Sequence, residues 1–126
     1  IWIYQAVCIY NGFPVLLTEI EDIIEKADEK VLNQTLRLFH EFFGLFAHMC
    51  LMFGHGFNSL YLGGGVLDQL VSRGLFDQKS FTNCLKQAAH PKVRENLENC
   101  PIHLISDPDL TLKGAAIIDH LKMEGR

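Results

Sequence analysis

The chain has 126 residues and a formal net charge of −4 at pH 7, which is enough sequence for one ordinary domain. It is 48% hydrophobic and 21% charged, a composition that is typical of a globular protein and excludes a disordered one. Its lysines and arginines form no basic stripe, which argues against nucleic-acid binding. We therefore treat residues 1–126 as a single domain.

The four cysteines, Cys8, Cys50, Cys84 and Cys100, include no Cys-x-x-Cys pair and match no zinc-binding spacing. The first residues lack the basic start of a signal peptide, so we expect reduced thiols and a cytoplasmic protein. Cys8 and Cys50 fall on apolar helical positions, where a thiol packs as a small hydrophobe. Because the sequence begins with Ile1 rather than Met, we expect it to be part of a longer chain.

The N-terminal third predicts two helices. Ile1–Tyr10 is apolar on most faces and is followed by Asn11-Gly12, a helix stop, so a buried helix is predicted. The triplet Trp2-Ile3-Tyr4 would also suit a strand. Thr18 and Glu21 have the spacing of a capping box, which predicts the start of a short second helix.

A long third helix is predicted from the next segment. Asp28 is a candidate N-cap, and apolar residues then recur at intervals of three and four from Val31 to Phe53. The pattern ends at Gly54-His55-Gly56, a terminator. Apolar residues cover so much of this helix that we expect it to be buried on several sides, with subunit contact as the alternative.

The same helix is apolar enough to raise the question of a membrane span. Arg37, His40, Glu41 and His48 interrupt it, and a charge near the bilayer centre costs about 2.5–3.5 kcal/mol. A core helix of a soluble domain is therefore the prediction.

The second half predicts an α/β arrangement in which two strands are separated by helices. The predicted elements are strand 58–62, helix 66–73 ending at Gly74, helix 78–89, helix 91–98, strand 102–106 and a final helix from 110 or 111 to 123. A long helical crossover implies a parallel pair. Either the domain is mostly helical with a very small sheet, or further strands precede this segment.

Three consecutive glycines, Gly63, Gly64 and Gly65, stand at the junction of a strand and a helix. Such a junction suits a phosphate or a nucleotide, because backbone can approach a ligand closely there; a tight turn without a ligand is the alternative. The dinucleotide fingerprint fails, because its third glycine is replaced by Asp68, and no phosphate-loop lysine follows.

The remaining polar residues predict neither a metal site nor a nucleophile. His40 and His48 are two helical turns apart and have no acidic partners at metal-ligand spacing, so structural histidines are predicted. Cys84 and Cys100 have no neighbouring base. Asp107 and Asp109 flank a proline before the final helix and are interpreted as turn and N-cap residues.

Three segments resemble the C-terminal part of bacterial ATP-dependent glucokinases, in the superfamily of sugar kinases, heat-shock chaperones and actin. They are "NSLYLGGGVLDQLVSRGLF", "CPIHLISDPDLTLKGAA" and the opening "IWIYQAV". The resemblance covers nearly the whole chain. It implies a mostly helical fragment of a ribonuclease-H-like (actin-like ATPase) lobe, with a small parallel strand pair and a long buried helix.

The resemblance also implies function. Gly64 and Gly65, with Gly63 at a small-residue position, match the adenosine motif, and Val66 and Leu67 would begin the helix beneath the nucleotide. ATP with Mg²⁺ would phosphorylate the 6-hydroxyl of glucose in the parent enzyme, which would be cytoplasmic and commonly a dimer.

The family's catalytic aspartate and hexose site would lie upstream, so the resemblance assigns no catalytic residue here and implies an inactive fragment. In the closing segment, Asp109 and Leu112 replace glycines that the family often has, whereas Gly114-Ala115 agrees. Two alternatives stay open: a non-catalytic helical interaction or dimerisation module, and another sugar kinase of the superfamily.

Overall fold

The computed structural model describes residues 1–54, 59–87 and 91–105, together with residues 107, 109 and 113. Within these residues the chain forms helices and two short strands in the predicted order. They are α1 (Trp2–Asn11), α2 (Ile20–Lys26), α3 (Glu29–Gly54), β1 (Leu60–Gly63), α4 (Gly65–Ser72), α5 (Gln78–Leu85), α6 (Pro91–Asn99) and β2 (Ile102–Ile105).

The predicted stop after α1 is confirmed, and the strand alternative for the first residues is wrong. Gly12 has a φ of 74°, a left-handed conformation that glycine adopts without a steric penalty. Its N–H donates to the Ile9 carbonyl oxygen at 3.2 Å, and the Phe13 N–H donates to that of Cys8 at 2.9 Å. This is a Schellman motif, and α4 ends with the same motif at Gly74.

The capping box predicted for α2 is wrong. Glu19, with extended backbone, is the N-cap, and no side chain caps the helix. Because α2 begins one residue later than Thr18 requires, Glu21 occupies the second helical position instead of the third. The cap predicted for α3 is confirmed: Asp28 Oδ1 accepts from the Lys30 N–H at 3.0 Å.

Helix α3 connects two groups of buried side chains. Near its N-terminus Val31 contacts the first group, which also contains Tyr4, Val7, Cys8 and Ile23. Near its C-terminus Ala47 and Leu51 join Leu62, Leu67, Phe81, Leu85, Leu97 and Cys100. The helix therefore positions α1 and α2 at one end and α5, α6 and the strands at the other.

The prediction that α3 is a buried helix is wrong for one side of it. The side chains of Phe42, Phe46, Met49 and Phe53 are 57%, 63%, 53% and 79% exposed. With Leu45 and Met52 they form a continuous apolar surface that we call the α3 outer face. Among the described residues, α1 and α5 pack against the opposite side of α3, and their position leaves this face open.

Two smaller expectations about burial are also wrong. Helix α1 is buried on one face only, with Trp2 84% and Tyr10 83% exposed. Cys8 is buried as predicted, but Cys50 is exposed. Both differences arise because the apolar periodicity of a helix does not say how many of its sides have a neighbour.

By length and composition alone, the part of α3 from Glu29 to Phe53 could cross a membrane. A core helix of a soluble protein can satisfy the same two criteria. The prediction of a helix in a soluble domain therefore stays a prediction.

The two strands pair in parallel, as predicted. The register places Tyr61 opposite His103 and Leu62 opposite Leu104. On one side of the sheet the rings of Tyr61 and His103 stack with their centroids 4.9 Å apart. On the other side Leu62 is buried, which fixes the sheet against the C-terminal half of α3.

The predicted element bounds hold within a few residues. Helix α5 ends at Leu85, earlier than the predicted residue 89, and its N-cap is Asp77. The final helix, predicted to end at Met123, lies outside the described residues except at Lys113, whose N–H donates to the Asp109 carbonyl oxygen at 2.9 Å. The predicted turn residue Asp107 accepts a hydrogen bond from the Asp109 N–H at 3.0 Å.

Candidate functional site

The three glycines form an open corner between β1 and α4. Gly63 ends the strand, Gly65 begins the helix, and Gly64 between them has a φ of 128° that side-chain-bearing residues rarely adopt. A Cβ on Gly63 would meet the Ile105 carbonyl oxygen at 3.4 Å, an ordinary contact. A Cβ on Gly64 or Gly65 would meet no atom within 4 Å. The backbone conformation therefore explains Gly64, but neither conformation nor packing explains Gly65.

The first turn of α4 presents main-chain donors at this corner. The first N–H groups of a helix have no acceptor within it, and in α4 they belong to Gly65, Val66 and Leu67. The Asp68 N–H is bonded back to the Gly64 carbonyl oxygen at 3.0 Å. Leu67 has its side chain in the core, 4% exposed, so only its main chain is available to a ligand, whereas Val66 is 38% exposed.

An apolar cavity of about 140 Å³ begins beside Val66. It is lined by α4 through Val66 and Leu70, by α3 through Leu36 and Phe39, and by parts of α1 and α2. An engineered apolar cavity of about 150 Å³ is large enough for a benzene ring. This cavity can therefore hold one aromatic ring. It could not be predicted from the sequence, because its walls come from four helices.

One residue that lines the cavity, Thr35, has a buried polar atom without a hydrogen-bond partner among the described residues. This atom is the hydroxyl oxygen Oγ1, which is shielded from solvent. A buried hydroxyl without a partner costs about 1–3 kcal/mol, so Thr35 lowers the stability of this part of α3.

Polar side chains link α2 to α4 beside the cavity. Arg73 donates to Glu25 Oε1 at 2.9 Å, and Gln69 donates to Glu21 Oε1 at 3.2 Å. Arg73 also donates to the side-chain oxygen of Gln69. These groups are at the surface, so they align the two helices rather than add much stability.

His40 and His48 both make the hydrogen bonds expected of structural histidines. His40 is 1% exposed, and its Nε2 accepts from the Asp77 N–H at 3.0 Å. Its Nδ1 must then carry the proton and donates to the Leu36 carbonyl oxygen at 2.6 Å. Burial lowers the pKa of His40, so the ring is neutral at pH 7. His48 Nδ1 lies 2.9 Å from the Leu85 carbonyl oxygen.

Nothing in the described residues supports metal or thiol chemistry. No group of three or more His, Cys, Asp or Glu residues there is arranged to hold a metal ion. Burial raises the pKa of the Cys84 and Cys100 thiols, which lowers the fraction of nucleophilic thiolate.

Comparison with known proteins gives two matches. The family model described as Glucokinase matches residues 1–122. The crystal structure of a glucokinase from an Antarctic psychrotroph superimposes with a TM-score of 0.70 at 24% sequence identity, over 94% of this chain and 36% of that chain. No curated protein matches the sequence. The structural likeness shows the fold, and the chain spans about a third of the length of the solved glucokinase.

Proposed function

The chain belongs to the glucokinase family, and from this premise we propose that residues 1–126 are one domain, the C-terminal nucleotide-binding portion of a cytoplasmic glucokinase. The parent enzyme would transfer the γ-phosphoryl group of ATP to the 6-hydroxyl of glucose. The portion present here would belong to a ribonuclease-H-like lobe and would supply the wall against which adenosine lies.

The observation that carries this proposal is the open backbone at Gly64 and Gly65. At Gly65, the first position of α4, a side chain would usually stabilise the helix, since glycine loses more chain entropy on folding than other residues. Gly65 has neither a positive φ nor a close neighbour that would require glycine. Its missing side chain leaves a flat main-chain surface, and a planar base or a ribose can lie directly against such a surface.

The surroundings of the corner favour the nucleoside over the triphosphate. Asp68 is in the first turn of α4, and its carboxylate would repel a phosphate group placed beside it. The base would instead place one of its two rings in the apolar cavity beside Val66, which has room for one aromatic ring. The phosphates would extend away from α4.

The described residues do not supply the rest of the reaction. Phosphoryl transfer needs Mg²⁺ and a group that activates the sugar hydroxyl. The side chains described here offer no suitable set of carboxylate ligands for Mg²⁺, so no step is assigned to a metal in this segment. We therefore expect the isolated chain to consume no ATP in the presence of glucose, whereas the parent enzyme would; measurable turnover by the chain alone would contradict this.

The test of the nucleotide site is Gly65→Val, with Ser72→Val as the matched control at the other end of α4. We expect ligand-detected NMR to show ATP and adenosine binding to the wild type and to Ser72→Val, and none to Gly65→Val. Circular dichroism should be unchanged in both variants, because a Cβ on Gly65 would lie in open space and Ser72 is exposed. Undiminished binding by Gly65→Val would refute the proposal.

A second candidate function, a dimerisation module, is favoured by the α3 outer face. Its three phenylalanines alone leave about 300–500 Å² of aromatic surface uncovered, a large fraction of the roughly 800 Å² that each partner buries in a typical interface. Spacings of three and four place these side chains on one seam, as in paired helices.

This candidate is tested by sedimentation over a range of protein concentrations. A homodimer should form in the wild type and be lost in Phe46→Glu, which places a charge in the centre of the face. It should persist in Leu16→Glu, since Leu16 is equally accessible at 75% exposure but lies outside the face. A wild type that stays monomeric at all concentrations would exclude the homodimer.

A further inference from the structure

We propose that His40 is a positioning residue for the nucleotide site: its neutral imidazole holds the α3 and α4 walls of the cavity together, and its protonation weakens adenosine binding. This inference rests on the proposed function of the glycine corner. His40 does not line the cavity itself, so any effect it has on a ligand is transmitted through its hydrogen bonds.

The imidazole connects directly to the α3 wall. Its Nδ1 donates to the carbonyl oxygen of Leu36, and Leu36 lines the cavity. Its ring meets the ring of Phe39, another lining residue, edge-on with centroids 5.5 Å apart. The imidazole therefore contacts two residues of this wall directly.

The other ring nitrogen connects to the segment that follows α4. His40 Nε2 accepts from the Asp77 N–H at 3.0 Å, and the Phe76 ring lies 5.2 Å from the imidazole. The link back to α4 is short and fixed, because the Leu75 N–H donates to the carbonyl oxygen of Leu70 at 2.8 Å. Leu70 lines the cavity on the α4 side, so His40 joins both walls.

Protonation is incompatible with this arrangement. A protonated imidazole carries a hydrogen on both nitrogens, so Nε2 could no longer accept from the Asp77 N–H and would face it as a second donor. Among the residues that the structure describes, the side chains that face the ring are the apolar Phe39 and Phe76 and one charged group, the Asp77 carboxylate. Burial lowers the pKa of His40 and outweighs the hydrogen bond to the Leu36 carbonyl oxygen and the Asp77 carboxylate, both of which favour the charged ring.

The sign of the pH dependence follows from the direction of this shift. The closed arrangement has a pKa below the ordinary value of 6.5, and an opened arrangement has about the ordinary value. Stabilisation by the neutral ring is therefore complete above pH 6.5 and is lost as the pH falls below it. If ATP requires the closed arrangement, its affinity should fall by up to about tenfold for each pH unit below 6.5.

The experiment measures ATP affinity of the full 126-residue chain from pH 8 to pH 5 by isothermal titration calorimetry. Three proteins are compared: wild type, His40→Gln and His48→Gln. Glutamine at position 40 offers an acceptor oxygen to the Asp77 N–H but does not titrate. The wild type and His48→Gln should lose affinity as the pH falls through 6.5, whereas His40→Gln should bind with nearly constant affinity.

The outcomes separate this inference from the proposed function. Tight binding at pH 8 with the same pH profile in wild type and His40→Gln would overturn the inference and leave the nucleotide site intact. Absence of ATP binding at pH 8 would overturn both. If His40→Gln does not fold, ¹⁵N NMR of the wild-type ring with and without ATP decides: a titration that shifts to lower pH when ATP binds supports the inference, and a titration that ATP leaves unchanged overturns it.

Discussion

Gly44 of α3 lies directly against the main-chain carbonyl oxygen of Phe81 in α5. A Cβ built on Gly44 would overlap that oxygen and would lie 2.9 Å from the Cβ of Cys84 and 3.2 Å from the nitrogen of Leu85. The obstruction is helix backbone, which cannot rotate away as the end of a side chain can. The missing side chain of Gly44 therefore sets how closely α3 and α5 approach.

We expect Gly44→Ala to destabilise the chain, although alanine is the better helix former. The gain in helix propensity is about 1 kcal/mol, whereas forcing extra volume into a packed contact costs about 1–3 kcal/mol. Urea unfolding should show a lower midpoint than wild type, and Asn33→Ala on the exposed side of α3 should not. A stability gain in Gly44→Ala would mean that α3 and α5 can separate freely.

Alanine substitutions at the glycine corner should have opposite effects on stability. Gly64→Ala should cost about 1–3 kcal/mol, because the φ of 128° strains any residue with a Cβ. Gly65→Ala should be neutral or stabilising by about 0.4–1 kcal/mol, because that position is helical and unobstructed. Chemical denaturation of the two variants side by side checks this; equal losses would contradict the geometry of the corner.

Asp77 should stabilise α5 as its N-cap. One of its carboxylate oxygens accepts from the N–H groups of Lys79 and Ser80, both at 3.0 Å, and the other accepts from the Ser80 hydroxyl at 2.6 Å. Asp77→Ala should cost about 0.5–2 kcal/mol at pH 7, whereas Asp77→Asn, which keeps a capping oxygen, should cost less. Thermal unfolding of the three proteins gives the comparison.

The same cap predicts a dependence on acid. The hydrogen bond from the Ser80 hydroxyl is the largest of several that lower the pKa of Asp77 below its ordinary value of 3.8. The stabilisation is then complete above pH 3.8 and is lost as the pH falls through the depressed folded value. Asp77→Asn should lack this part of the acid transition, and an identical transition in the variant would show that other carboxylates cause it.

The ion pair between Arg73 and Glu25 should contribute little to stability. Its side chains are 30% and 58% exposed, and solvent screens such a pair, so Glu25→Gln should cost less than about 1 kcal/mol. Urea unfolding at low and high salt should give nearly the same difference from wild type. A larger, salt-sensitive loss would show that α2 depends on α4 more than the exposure of the pair indicates.

Local signals in the sequence predicted most of the elements but not their surroundings. Glycine at positions 12 and 74 marked two helix ends correctly, because a left-handed residue after a helix is a local requirement. The capping-box prediction for α2 was wrong because the helix begins one residue later than Thr18 requires. A capping box depends on exact spacing, so a shift of one residue removes it. Asp77 was missed as a cap, although an aspartate before Gln78 is such a signal.

The candidate site also has one part that the local sequence predicts and one part that it does not. The glycine corner could be found from three consecutive residues, whereas the cavity beside Val66 depends on side chains from α1 to α4. The role of Gly44 in the close approach of α3 and α5 could not be predicted either, since α5 lies some forty residues further along the chain. The exposure of the α3 outer face depends on which neighbours are present, and apolar periodicity does not contain that information.

The parallel pairing of β1 with β2 has a kinetic consequence. The two strands can pair only after the crossover of residues 64–101 has folded back to bring β2 beside β1. The entropy cost of closing that loop therefore comes before any stabilisation from strand pairing. During refolding, the circular dichroism signal of the helices should therefore appear before the two strands pair. The late step would be the docking of Leu62 beneath the sheet, which stopped-flow experiments with a Leu62→Ala variant can time.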